Sequence, residues 1–316
     1  MSSDDTGAGP APPARHGAGT TGTRADPAPA RGMRPAAHRP SPRPTTARRP
    51  PGAARARPQE SELTTLDLTP APGAAPLSRM VAAQTGAEIR AILRNGEQLL
   101  LTMIIPVLLL VGFSAAPLVD VGGSRVDFTT PGVLALAVMS TAFTGQAIAT
   151  GFERRYGVLK RLGASPLSRT GLMLAKTLAV IAVEVVQVAV ISVVAVALGW
   201  RPAGSPLTAG LLIVLGTAAF SGLGLLMAGT LRAEATLAAA NLVYLVLLGC
   251  GGVIFPLSKF PESVRPVLEL LPISALTGGL RSVLAGGAGL PLAAMAVLAA
   301  WAAVSLFLTS RTFRWE

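Results

Sequence analysis

The sequence predicts an all-α integral membrane protein with six transmembrane helices, and three features predict it. Six apolar runs are each long enough to cross a bilayer. Hydrophobic residues make up 51% of the 316 residues and charged residues only 14%, a balance that fits a multi-span membrane chain better than a soluble domain. Basic residues near the ends of the runs fall unevenly, with one side of the chain far richer in them than the other.

Residues 1–78 read as a disordered cytoplasmic tail, and residues 79–316 as the six-span domain. Ten arginines lie between Arg15 and Arg57, opposed only by Asp26, in a stretch rich in Pro, Ala and Gly. Such a stretch cannot bury enough apolar surface to offset the entropy of ordering it. The net charge of +11 therefore does not sit on a folded platform, and nucleic acid is not an expected partner. Two readings of the tail remain: a solvated extension, or attraction to anionic membrane lipids at about 1 kcal/mol per arginine held near the surface.

Met80 to Arg94 reads as an interfacial helix. Ile89, Ile92 and Leu93 share one face, while Arg90 and Arg94 lie together at i, i+4. Asn95-Gly96 is a stop signal. The spans follow near 98–117, 132–151, 174–198, 207–229, 236–256 and 290–310, since about twenty residues rising about 1.5 Å each cross a hydrocarbon core of about 30 Å. Pro106 interrupts the first span and removes a backbone hydrogen bond there. Ala218 and Gly222 in the fourth permit close helix contact.

Orientation follows from the arginines and lysines near the span ends. With the N-terminus inside, twelve basic residues from Arg79 onward face inward, against Arg125, Arg201, Lys259, Arg265 and Arg281 outside. Both termini are therefore expected in the cytoplasm. Between spans five and six, Pro261 to Pro272 predicts a short amphipathic helix, with Val264, Val267, Leu268 and Leu271 on one face. Ala275 to Leu284 predicts a second helix. Both are too short to cross and read as re-entrant or interfacial pieces on the outer side.

The basic loop from Phe152 to Gly171 separates spans two and three. Phe152, Tyr156 and Leu159 fall at i, i+4, i+7 on one helical face, and Arg154 and Arg161 on the opposite one. Pro166 ends the pattern. The periodicity admits two readings: a helix that docks into a cleft on a soluble partner, or a positive anchor with no partner.

Within the spans, Glu184 and Gln187 lie one turn apart on one face of span three, and Asn241 and Tyr244 lie at i, i+3 in span five. Because an ionisable group in a membrane is costly, all four are candidates for a translocation path. Ties between helices are the alternative role for Asn241 and Tyr244, and a neutral Glu184 bonded to a neighbouring span is the alternative for that residue. Lys176 is expected to snorkel to the cytoplasmic surface.

Several functions are excluded or disfavoured by what is missing. His16 and His38 are the only histidines and Cys250 the only cysteine, so neither a histidine-based intramembrane active site nor an intrachain disulfide or cysteine metal cluster can form. No catalytic or metal-ligating set is predicted. A phosphate-binding loop needs glycine, lysine and Ser/Thr in succession. Only Lys176-Thr177 offers the last pair, and Ala175 stands where glycine is required. Nucleotide must be handled by another chain.

The string Glu153-Arg154, Gly157, Leu159-Lys160-Arg161-Leu162, Pro166, Arg169 resembles the signature loop of type-2 ATP-binding-cassette exporter permeases, including the antibiotic-resistance branch typified by daunorubicin exporters. Pro256, Pro261, Leu271-Pro272 and Leu280-Arg281 resemble that family's outer segment, and Phe313-Arg314-Trp315 its C-terminal end. The resemblance covers residues 80–316 and implies a bacterial plasma-membrane permease that pairs as a homodimer or with a sibling permease. It further implies a cytoplasmic ATPase subunit that holds the ATP and Mg²⁺, so that no cofactor binds this chain. By the same resemblance the loop is the coupling helix, with Phe152, Glu153, Arg154, Tyr156, Gly157, Leu159, Lys160, Arg161, Pro166 and Arg169 in ATPase coupling.

The low aromatic content, 4%, favours a hydrophobic or amphipathic small-molecule cargo, drug- or antibiotic-like, over a sugar polymer, because sugar paths use aromatic platforms. Export of lipid or polysaccharide by the same fold is the alternative cargo. A transporter or channel driven by an ion gradient is the rival mechanism, but it would use several intramembrane ionisable residues, and Glu184 stands nearly alone.

Overall fold

The computed structural model describes residues 73–115, 124–287 and 289–312. Most of the predicted tail (1–72), residues 116–117 of the first predicted span, and Phe313-Arg314-Trp315 lie outside the described residues. Within them the chain is helical and carries no strand.

Helix α1 (Leu77–Arg94) starts just before the predicted interfacial helix and stops at Asn95 as expected. Helix α2 (Gly96–Ala115) carries Pro106 inside it. The axes of α1 and of the Leu99–Ala115 part of α2 differ by 71°, so the chain turns sharply as it leaves α1.

The second span is longer than predicted and is built from three pieces. Helix α3 (Arg125–Val138) starts on a Ser124 cap whose Oγ accepts from the Asp127 N–H at 3.4 Å. A π-helical turn (Met139–Gly145) follows, then helix α4 (Gln146–Arg155). Together they run 31 residues. The sequence shows no mark for the π turn, which the hydropathy of the run does not encode.

Helix α5 (Val158–Gly163) is a short piece of six residues, and α6 (Arg169–Ala197) starts on a Ser168 cap that accepts from Gly171 N–H at 3.0 Å. Helix α7 (Pro206–Thr230) begins with Ser205 at its cap and proline in its first turn, where a missing N–H does no harm. Helix α8 (Ala233–Cys250) completes the fifth span. After a single 3₁₀ turn, helices α9 (Arg265–Glu269), α10 (Pro272–Leu284) and α11 (Leu292–Thr312) follow.

Among the described residues five helical runs are long and apolar enough to cross a membrane, and there are six if the bent pair α1–α2 counts as one span. The run Arg125–Arg155 is the hub: 67% of its apolar window is buried within the chain, against 22% for α8 and for α11. Every residue from Thr129 to Val138 is buried. Phe143, Phe220, Leu134, Leu212 and Leu276 fill the main core around it.

Helices α7 and α11 run parallel and tie to each other through hydroxyls. Ser305 Oγ donates to Ala219 O at 3.3 Å, and Thr309 Oγ1 to Gly222 O at 3.0 Å. A Cβ on Gly222 would fall 2.1 Å from Ser305 Oγ, so glycine is required there for the close approach that the sequence suggests.

The segment after α8 departs from prediction. The amphipathic helix expected over 261–272 is only the five residues of α9. Pro266 is the reason: a helix begun at Pro261 cannot pass it, because proline has no N–H to give and crowds the preceding turn. The expected apolar face is open, with Val264 43% and Val267 66% exposed. Helix α10 is instead almost wholly buried. It is pinned by Arg281, which donates to Phe128 O (3.2 Å), Gly252 O (2.6 Å) and Val253 O (2.9 Å) and lies 3.7 Å from the centre of the Phe128 ring.

Candidate functional site

The predicted coupling loop begins at the end of α4. Arg154 and Arg155 occupy its last turn, where cations favour the helix dipole, and Gly157 follows at φ +71°. This left-handed glycine turns the chain into α5, which carries Lys160 and Arg161. The single face expected for Phe152, Tyr156 and Leu159 therefore does not exist, because the turn breaks the 3.6-residue register. Tyr156 is 69% exposed and stacks on Phe152 with centroids 6.1 Å apart, whereas Leu159 is fully buried.

Leu159 sits in a separate small core with Val81 of α1 and Leu167, Leu172 and Ala175 at the start of α6. Around that anchor Tyr156, Val158, Lys160, Arg161, Pro166 and Arg169 face outward. The loop is thus a rigid knuckle with an apolar base and a basic, aromatic-edged outer surface.

Glu153 and Arg154 point into the chain. Arg154 Nη2 donates to Leu231 O, and Arg155 pairs with Glu234, so both arginines clamp α4 to the turn between α7 and α8. Glu153 Oε2 lies 2.7 Å from Lys176 Nζ, and Glu88 of α1 lies 3.0 Å from the same nitrogen. Lys176 does not snorkel: it is 4% exposed. Two carboxylates supply the countercharge that water would otherwise provide, and this makes burial tolerable. Glu88 was not among the sequence candidates, because nothing local marks a pairing across 88 residues.

The triad Glu88–Lys176–Glu153 borders a cavity of about 170 Å³ between α1, α2, the π turn with α4, and α6. Gln146, Thr141 and Thr150 add polar groups to its wall.

The intramembrane candidates do not gather in one place. Glu184 is buried and accepts from Thr217 Oγ1 of α7. Gln187 is buried, accepts from Thr141 Oγ1 at 3.0 Å and donates to Thr102 O at 3.0 Å, which ties α6 to the π turn and to α2. Asn241 is exposed and donates to Leu237 O of its own helix at 3.0 Å, and it makes no hydrogen bond to another helix among the described residues. Tyr244 lines a small cavity with Pro106, Leu136 and Ser140, and the other three do not line it.

Sequence comparison bears on these same elements. The family described as ABC-2 type transporter matches residues 81–285, more than half of the chain and from α1 through α10. No curated protein gives a significant match.

Proposed function

The chain belongs to the ABC-2 type transporter family, and from this premise we propose that it is the permease subunit of an ATP-driven exporter of a hydrophobic or amphipathic small molecule, drug- or antibiotic-like. Permeases of this family work with a cytoplasmic ABC ATPase. The excess of basic residues on one side supports both termini lying inside, and efflux across a bacterial plasma membrane is what the family resemblance implies.

The observation that carries the proposal is the knuckle at Gly157. Tyr156, Lys160, Arg161 and Arg169 present an outer surface suited to a groove on the ATPase, and fully buried Leu159 makes its base stiff. A surface that transmits force needs such an anchor. Glu153 and Arg154 have a different part: through Lys176 and Leu231 they link the knuckle to α1, α6 and the α7–α8 turn. Motion of the knuckle would thereby reach most of the bundle. The working unit is a dimer, of two copies or of this chain with a sibling permease.

Purification with any ABC ATPase encoded beside it tests the reading. Wild type is expected to co-purify and to alter ATP hydrolysis. Arg161→Glu is expected to lose that coupling while its thermal unfolding is unchanged. Cargo movement with no ATPase and no ATP present overturns the proposal. For a translocation role of Glu184, full export by Glu184→Gln removes it from the path.

A further inference from the structure

We propose that the cavity beside the Glu88–Lys176–Glu153 triad, with the apolar groove adjoining it, binds the charged end and the hydrocarbon body of an amphipathic cation. This inference rests on the permease reading and names the chemistry of its cargo.

Three independent features of one place support it. The triad sets two carboxyl groups against a single ammonium, with Gln84 Nε2 also donating to Glu88 at 2.8 Å, so the cavity wall is rich in acceptor oxygens. Two deeply buried polar groups on that wall lack partners. Gln146 is 6% exposed and uses its Oε1 to accept from Ser221 Oγ at 2.8 Å, yet its Nε2 donates to nothing; the fully buried Thr150 hydroxyl is likewise unpaired. Buried donors of this kind are rare, because each forfeits the hydrogen bonds it had in water. They suit an ammonium that carries a bound water: the Thr150 hydroxyl can accept from the ammonium, and the Gln146 Nε2–H can donate to the water.

The third feature is the groove. It has a volume of about 400 Å³ and is walled by Ile89, Leu93, Leu100, Met103, Val186 and Val190. Leu99 and Val183 line both spaces, so the polar cavity and the groove meet at those two side chains. Leu93, Leu100 and Val186 are each more than half exposed, which leaves the groove open at the side where lipid would lie. An alkyl amine can therefore set its nitrogen by Glu88 and its chain along α2 and α6. An alkyl carboxylate of equal length would bring acceptor oxygens to a wall already rich in them.

The test uses the full chain in phosphatidylcholine nanodiscs, titrated with a dansyl-labelled undecylamine and with the matching dansyl-labelled undecanoic acid. The amine is expected to bind about tenfold more tightly, the effect of one charge-assisted contact. Glu88→Gln, which leaves the Lys176–Glu153 pair in place, is expected to erase that preference. Thr150→Val is expected to weaken the amine about threefold, and Val183→Trp to weaken both probes. Equal binding of the two probes overturns the proposal and leaves only an acyl-chain groove; so does a preference that survives Glu88→Gln. If Glu88→Gln does not fold, an unchanged amine affinity in Thr150→Val overturns it. Co-purification with the ATPase is scored on the same preparations. A chain that holds the ATPase but ignores the amine keeps its permease role and loses this site.

Discussion

The two ends of the helix bundle are fastened by different chemistry. At the Gly157 end most joints are ion pairs between side chains, Lys176 with Glu88 and Glu153 and Arg155 with Glu234, with Arg154 on the Leu231 carbonyl as the exception. At the opposite end the guanidinium of Arg281 grips three backbone carbonyls and an aromatic face. Carboxylates and ammonium groups can exchange partners as helices shift. Carbonyls at the end of α8 and the start of α3 are fixed by the backbone and cannot. The difference marks one end as adjustable and the other as a fixed pivot, as expected if force arrives at the Gly157 end.

Breaking the central ion of the triad has the largest expected effect. Lys176→Met leaves two partly buried carboxyl groups without their shared cation, and the loss should be about 3 kcal/mol, read as a fall in unfolding temperature in detergent. Adding Glu153→Gln to that variant should recover much of it. Next is Arg281→Ala, expected to cost about 2–4 kcal/mol through its lost charge-assisted bonds. Arg281→Lys should restore only a part, because an ammonium cannot fork to three carbonyls as the planar guanidinium does. If Arg281→Ala unfolds no more readily than wild type, the pivot is not real.

Gly157→Ala comes third, at about 1–2 kcal/mol for a left-handed residue that gains a Cβ. Its effect on ATPase coupling should exceed its effect on stability, since the knuckle is the part displaced. The smallest effect is expected from Asn241→Leu. Its side chain bonds only its own helix, and the stability of the isolated chain should change by less than about 0.5 kcal/mol.

The spans were legible because length and hydropathy alone define them. In the sequence the small residue at position 222 only permits close helix contact, and the contact with Ser305 is what makes glycine necessary there. What failed were contacts between residues distant in sequence. Lys176 reads as a surface lysine until Glu88 and Glu153 are brought beside it, and neither lies on its own helix. Glu184 reads as an isolated charge until Thr217 arrives from α7. The Gly157 break is a different kind of miss. Two arginines followed by Tyr-Gly constitute a helix stop, and extending the apolar spacing to Leu159 passed over it. Arg281 carried a signal as well, as a lone charge in a short apolar helix that must find partners.

Trp301 of α11 donates its indole N–H to Leu270 O at 2.8 Å, just beyond α9. Since α11 is also laced to α7 by Ser305 and Thr309, a tug on the α7–α8 corner would be felt at the far rim without any intervening hinge. Those two helices and the little cap above them would then swing together as a single oar, blade on one side of the bilayer and handle on the other.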